Sequence, residues 1–428
     1  MKYIKNYFKN KIQEIKSLDK KQLIIRICTI VSTIIIASLI LLMLYKNTYY
    51  KNDNYIYHVE LNFRDTKKAK VLEIIDKEEP SEDERVSYTL HITYKCEILE
   101  GNHKGEEHIV HQYLNDYTSL YTNTVDKGVI IYVAEQQRSD NEVSYIFNGD
   151  SISFDHYSGI LVLAIILVVL LLIISKSQGL LTIISLTFSI LSILYVFLPR
   201  IIAGESIYLL TAFVCVFTVV VTYLIVVGIN KKGICATLGC LAGLLLSGLL
   251  SIIAMNLLHV TGHYSSEEIN DISMLLQSLY NVDIKINLKA LIFASTLIGA
   301  LGAVMDVSLS LASSLKEVYD NAKEVSIINT IKSGFVIGKD MIGTMVNTLI
   351  LAYVASDLSF ILFIMVNHSN EFIFRSEYIA VAIAQALVGS IAMVLTIPLT
   401  SLICALIYNK KNNKEINIIG EGEQNEEN

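Results

Sequence analysis

Over most of its length the chain alternates apolar runs with short polar breaks. Most runs approach the roughly twenty residues that a helix needs to span a bilayer. Eight of them predict transmembrane helices: residues 23–44, 160–174, 180–198, 207–227, 234–258, 288–311, 341–366 and 377–407. The first follows a lysine-rich segment, residues 1–22, and is interrupted only by Arg26, which can snorkel to the interface. It exceeds the apolar core of a signal peptide and exits through Tyr45, Lys46, Tyr49 and Tyr50. That predicts an uncleaved signal-anchor. Breaks such as Pro199-Arg200 and Asn230-Lys231-Lys232-Gly233 set the following runs in hairpin order. A polar connection, residues 259–287, predicts an interfacial loop helix, and residues 316–339 predict an amphipathic charged segment. Residues 408–428 predict a polar tail without structure.

Residues 47–158 change period. Val86 to Tyr94 alternates β-formers with period two. Gly101-Asn102-His103-Lys104-Gly105 predicts a turn into a partner strand at His108-Ile109-Val110. Lys127-Gly128 predicts a turn into Val129–Val133, and Val143–Phe147 a last strand, while residues 77–85, with Pro80, predict a charged loop. A small antiparallel β-barrel or sandwich follows. The fold class is therefore a mainly α membrane protein: one N-terminal anchor plus a seven-helix membrane domain over residues 159–407, with a small β domain before it.

Composition fits this class. The hydrophobic fraction is 53%, the charged fraction 18% and the mean hydropathy +0.51. Lysines at the N-terminus, Lys176, Lys231-Lys232, the 316–339 segment and Lys410-Lys411 all fall on one side of the predicted topology. By the positive-inside rule both termini are cytoplasmic and the β domain lies outside the membrane. The lipid bilayer is then the obligatory partner, an envelope protein or small solute the expected second one, and nucleic acid is not expected. Cys28, Cys96, Cys215, Cys235, Cys240 and Cys404 have no metal-ligand spacing, and the extramembrane Cys96 has no partner in its domain. They predict no disulfide. His91, His103, His108 and His111 sit in the β region without an HExxH or paired Cys/His pattern, and His108 and His111 point to opposite faces of an extended strand. They are read as surface histidines, with no metal and no cofactor expected. His259 and His263, near Glu267 and Glu268, lack a third ligand at fixed spacing and are read the same way.

The candidate chemistry is one carboxylate inside an apolar run. Asp306 lies about six residues from the cytoplasmic end of its span, roughly 9 Å deep. A charge there costs at least ~2.5–3.5 kcal/mol on insertion scales, which makes it a functional candidate. Asn347, about seven residues into the next span, falls at matching depth, with Thr344, Thr348 and Ser310 nearby. Gly299, Gly302 and Gly343 are expected to let these helices approach closely, and Gly239 and Gly243 to do so in the 234–258 span. The expectation is a polar site shared by two helices, serving a transporter or permease; the alternative is a polar lock in a non-enzymatic scaffold or sensor whose β domain binds an envelope partner. No Gly-x-Ser-x-Gly elbow, HExxH or P-loop occurs, so an enzyme is not expected.

Gly299-Ala300-Leu301-Gly302-Ala303-Val304-Met305-Asp306-Val307 and the stretch from Ser333 to Tyr353, with its Gly338-Lys339-Asp340 and Gly343-Thr344-Met345-Val346-Asn347-Thr348, resemble the YibE/F family of bacterial multi-pass membrane proteins. Gly389-Ser390 and Pro398-Leu399-Thr400 extend the resemblance over residues 159–407. It implies an integral membrane protein of unassigned biochemical activity. Asp357 departs from it, since the family implies a small or neutral residue there.

Overall fold

The computed structural model describes residues 20–52, 66–78, 90–114, 125–137, 143–147, 154–262, 286–321, 326–367 and 375–423. Most of the basic N-terminus, the loop around Pro80 and the expected loop helix near residues 272–280 lie outside the described residues, as does His263. Two compact units emerge: Met1–His58 with Ser177–Asn428, and Val59–Lys176.

The second unit is a barrel of five strands: β1 (Thr66–Glu78), β2 (Leu90–Ile98), β3 (Glu107–Leu114), β4 (Ile130–Gln137) and β5 (Val143–Phe147). They close in the order β1-β2-β3-β5-β4. Every pairing is antiparallel except β3 with β5. This is the topology of an OB-type Greek-key barrel. β1 was not legible as a strand, because lysines occupy much of its first half. It is the element that closes the barrel. Its start pairs with β4 and its length with β2, and register shifts at Val71/Glu73 and Ile74/Asp76 bend it between them. Period-two alternation in β2 sends Ile92, Tyr94, Cys96 and Ile98 inward, where they meet Val71, Val110, Leu114, Ile131 and Val133. One buried polar pair sits among them: Tyr94 donates to Gln112 Oε1 at 2.6 Å. Burial pushes the Cys96 thiol up to about 12. The unit ends in α1 (His156–Ser175), which is apolar on every side and buries none of its residues. A helix of that kind needs lipid or protein around it.

The first unit is helical: α2 (Lys20–Asn52), α3 (Ser177–Ile202, with a π-turn at Ile193–Phe197), α4 (Ile207–Val226), α5 (Lys231–Leu257), α6 (Leu288–Asn321), α7 (Ile327–Ser356), α8 (Leu358–Asn367) and α9 (Glu377–Glu423). With α1, eight helices among the described residues are long and apolar enough to cross a membrane. α2 packs Ala37 and Leu41 into a cluster with Phe217 and Val221 of α4, so the predicted anchor is part of the bundle.

Three boundaries differ from expectation. The charged 316–339 segment is no separate element: α6 runs on to Asn321 and α7 starts at Ile327, capped by Ser326, whose hydroxyl accepts from Asn329 N at 3.1 Å. The span expected over 341–366 is broken, because α7 ends at Ser356 and Asp357 caps it. The last helix continues through the expected tail to Glu423, since no proline and no glycine before Gly420 interrupts residues 409–419.

The bundle core is made by α5, α6 and α9. Val304, Val307, Leu311 and Leu315 of α6 meet Cys240 and Leu244 of α5 and Met393, Ile397 and Cys404 of α9. Close approach rests on small residues against hydroxyls. A Cβ at Gly239 would overlap Thr400, and one at Gly243 would overlap Thr396. α7 lies on α9 in the same way, Gly334 against Ser401 and Gly338 against Ile397. Tyr223 of α4 donates to Met305 O at 2.7 Å and stands 2.7 Å from Ser308 Oγ, tying α4 to α6.

Candidate functional site

The inner face of α6 is mostly apolar; its outer face is not. Ser295, Gly299, Gly302, Asp306 and Ser310 follow at intervals of four, three, four and four residues, which puts them on one stripe. All five are exposed. Asp306 makes no hydrogen bond or ion pair among the described residues. On α7, Gly343, Thr344, Asn347 and Thr348 are exposed too, and only Thr330, Gly334 and Gly338 of that helix are buried. The threonine hydroxyls bond within their own helix, Thr344 to Met341 O at 3.1 Å and Thr348 to Thr344 O at 2.8 Å.

The structure therefore places Asp306, Ser310, Thr344, Asn347 and Thr348 on open faces of neighbouring helices without joining them by hydrogen bonds. The expected glycines divide. Gly299 packs, since a Cβ there would overlap the Tyr353 hydroxyl of α7. Gly239 and Gly243 pack as described. At Gly302 and Gly343 a Cβ would meet nothing within 4 Å, so the approach expected there is not made among the described residues.

At one end of the stripe lies a cavity of about 250 Å³, lined among others by Ser295, Asp357, Tyr378, Gln385 and Gly262. Its polar groups come in bonded pairs. Gln385 Nε2 donates to Ser295 Oγ at 2.8 Å, linking α9 to α6, and Tyr378 donates to Asp357 Oδ1 at 2.9 Å, linking α9 to the break after α7. Glu377, one residue before Tyr378, accepts from Thr261 N and Gly262 N, both at 2.7 Å, and from Thr261 Oγ1 at 2.7 Å. The clamp fixes the chain that returns along the cavity wall. Sequence reasoning did not assemble this group, which comes from four distant segments. The available signals were Gln385, an amide within an apolar span, and Asp357, the departure from the family pattern.

The barrel histidines fall into two groups on opposite strand faces. His91 Nε2 stands 3.1 Å from His111 Nδ1, and His91 stacks on Tyr113 at 4.6 Å. His103 and His108 instead converge on Glu106 at the β2–β3 turn.

No curated protein and no solved structure matches the chain. Residues 163–410, more than half of it and the region that holds both the stripe and the cavity, match the family model described as YibE/F-like protein, and the chain belongs to that family.

Proposed function

We propose that the protein is a transporter or permease-like membrane protein in which a small solute or ion moves along the outer stripe of α6, with Asp306 as the group that binds it or carries a proton. The observation that carries this reading is the continuity of the stripe with the cavity: Ser295 lines the cavity, and Asp306 lies eleven residues further on the same helix face, about 16 Å away. An unpaired carboxylate in a span is expensive in lipid. Water or a bound cation against the stripe would stabilise it, and Gly302, one turn away, leaves room beside it. In this reading both termini are cytoplasmic and the barrel is outside, as the lysine distribution supports.

Asp306→Asn tests the reading in proteoliposomes and in a strain lacking the native chain, profiled for ion and metabolite accumulation. The variant is expected to insert, to keep its melting temperature in detergent, and to lose flux and complementation. Full complementation by a normally folded Asp306→Asn protein would refute the role of the carboxylate. Topology is tested separately. Cys96 is buried inside the barrel and would resist an impermeant thiol reagent on either side, whereas exposed Lys127 is a usable position. Lys127→Cys should label on intact cells; labelling only after lysis would invert the orientation.

The scaffold reading has its own observation. Ile74, Ile75, Ile109 and Tyr113 expose large apolar surface on β1 and β3. Crosslinking of the full chain to an envelope protein through this surface, with flux absent, would favour it.

A further inference from the structure

The β2–β3 hairpin gathers three ligating side chains from six consecutive residues, His103-Lys104-Gly105-Glu106-Glu107-His108. The backbone that carries them is fixed by its own hydrogen bonds. Gly105 N donates to Ile98 O at 2.7 Å, Ile98 N to Glu106 O at 3.0 Å, and Glu106 N to His103 O at 3.1 Å. Gly105 supplies the positive φ of +86° that the turn requires. Folding the turn back in this way sets His103 beside the start of β3, and Glu106 and His108, two apart on an extended chain, project to the same side.

The side chains then converge. Glu106 Oε2 lies 2.9 Å from His103 Nδ1 and 3.1 Å from His108 Nε2, and the three ligand atoms all lie within 4.8 Å of one another. The two imidazole rings stand nearly perpendicular, at 84°, with centroids 5.8 Å apart. We propose that His103 Nδ1, His108 Nε2 and Glu106 Oε2 bind a divalent transition-metal ion of the zinc class. Nitrogen and carboxylate ligands sit about 2.0–2.2 Å from zinc, so neighbours in a tetrahedral shell are roughly 3.3–3.5 Å apart. The Glu106 contacts need open by only a few tenths of an ångström to reach that spacing. Two imidazoles and one carboxylate suit zinc, nickel or copper(II); magnesium and calcium favour all-oxygen shells.

Binding calls for no large rearrangement of the rings. A neutral His103 that coordinates through Nδ1 keeps its proton on Nε2, and a neutral His108 that coordinates through Nε2 keeps its proton on Nδ1. Each is a tautomer exchange at the nitrogen now facing Glu106. Three protein ligands leave a fourth position for water or another group, the pattern of an exchangeable rather than a closed structural site. The alternative occupant of the same geometry is the proton: a His–Glu–His hydrogen-bonded clamp of the turn that never takes a metal.

The full-length protein in detergent, stripped with chelator and titrated with zinc by calorimetry and with cobalt(II) by visible absorption, separates the two. The expected result is one tight equivalent with the visible bands of tetrahedral cobalt. Binding should weaken in His103→Ala, Glu106→Gln and His108→Ala by more than the roughly 10–100-fold that loss of an outer-shell partner costs. His91→Ala and His111→Ala, on the opposite strand face, should leave it unchanged. All five variants should keep the melting temperature of the metal-free protein, so that lost binding is not lost folding. No stoichiometric binding, binding that survives the double variant His103→Ala/His108→Ala, or binding that follows His91 and His111 would each overturn the proposal.

Discussion

At the seam between α5 and α9, Gly239 and Gly243 lie against Thr400 and Thr396; on the outer faces of α6 and α7, Gly302 and Gly343 lie one turn from Asp306 and Asn347 and touch nothing. The two regions use the same residue types, glycine beside a polar side chain at helical spacing. At the seam the hydroxyls fill the space that the glycines leave, and the Thr396 hydroxyl satisfies itself on Ala392 O at 2.7 Å. On the outer faces the space at Gly302 and Gly343 stays open, and among the described residues Asp306 and Asn347 have no hydrogen-bond partner. A small-residue motif therefore marks close approach only where another helix occupies it. Where none does, it marks room for something else: solvent, a solute or another protein.

The largest effect that could break this contrast is at the seam. Gly243→Leu would drive a branched side chain into Thr396 and Val304, and about 3 kcal/mol or more should be lost as helices separate. Even Gly239→Ala, which must displace Thr400, should lower the melting temperature by the equivalent of about 1–3 kcal/mol. Thermal unfolding in one detergent checks both. If neither substitution destabilises, the seam is looser than its geometry and the contrast with the outer faces fails.

A smaller effect tests how α6 is held so that its outer face stays outward. Tyr223→Phe removes the hydroxyl that reaches Met305 O and Ser308 but keeps the ring in the core. Ser308 retains its own bond to Met305 O at 3.0 Å, so no buried donor is orphaned. About 1 kcal/mol should be lost. A loss of flux with full stability would instead show that this bond sets the position of Asp306, two residues from Ser308, rather than the strength of packing.

The sequence made the helices legible and the partners of their polar residues obscure. Runs such as 207–227 and 234–258 correspond closely to α4 and α5, because apolar length and the Asn230 cap are local properties. Asp306 was visible for the same reason: a charge in an apolar run stands out. That it faces away from the core was implicit in the spacing of Val304, Val307 and Leu311, which defines the buried face on the other side. The cavity was not legible, because pairing Ser295 with Gln385 and Asp357 with Tyr378 depends on how α6, α7 and α9 meet. The break at Asp357 was hidden by apolar residues on both sides of it. In the barrel, β1 escaped notice because its lysines break the alternation, and the metal-ligand triad because the turn, rather than a motif, assembles it.

The smallest expected effect has the opposite sign and sharpens the contrast most. Gly302→Ala and Gly343→Ala place a methyl group where nothing lies within 4 Å, so no packing is disturbed. Replacing glycine in a helix interior lowers the entropy of the unfolded chain, and each variant should gain roughly 0.5–1 kcal/mol. The comparison to make is the melting temperature of each variant against Gly239→Ala in the same detergent: upward shifts for the outer pair, a downward shift for the seam. Crosslinking across concentrations should accompany it. If Gly302→Ala or Gly343→Ala destabilises, and the loss grows with protein concentration, a second copy covers these faces and the stripe around Asp306 is an interface. If stability rises while flux falls, the methyl group obstructs the space beside Asp306 that the solute needs, and the stripe is the path.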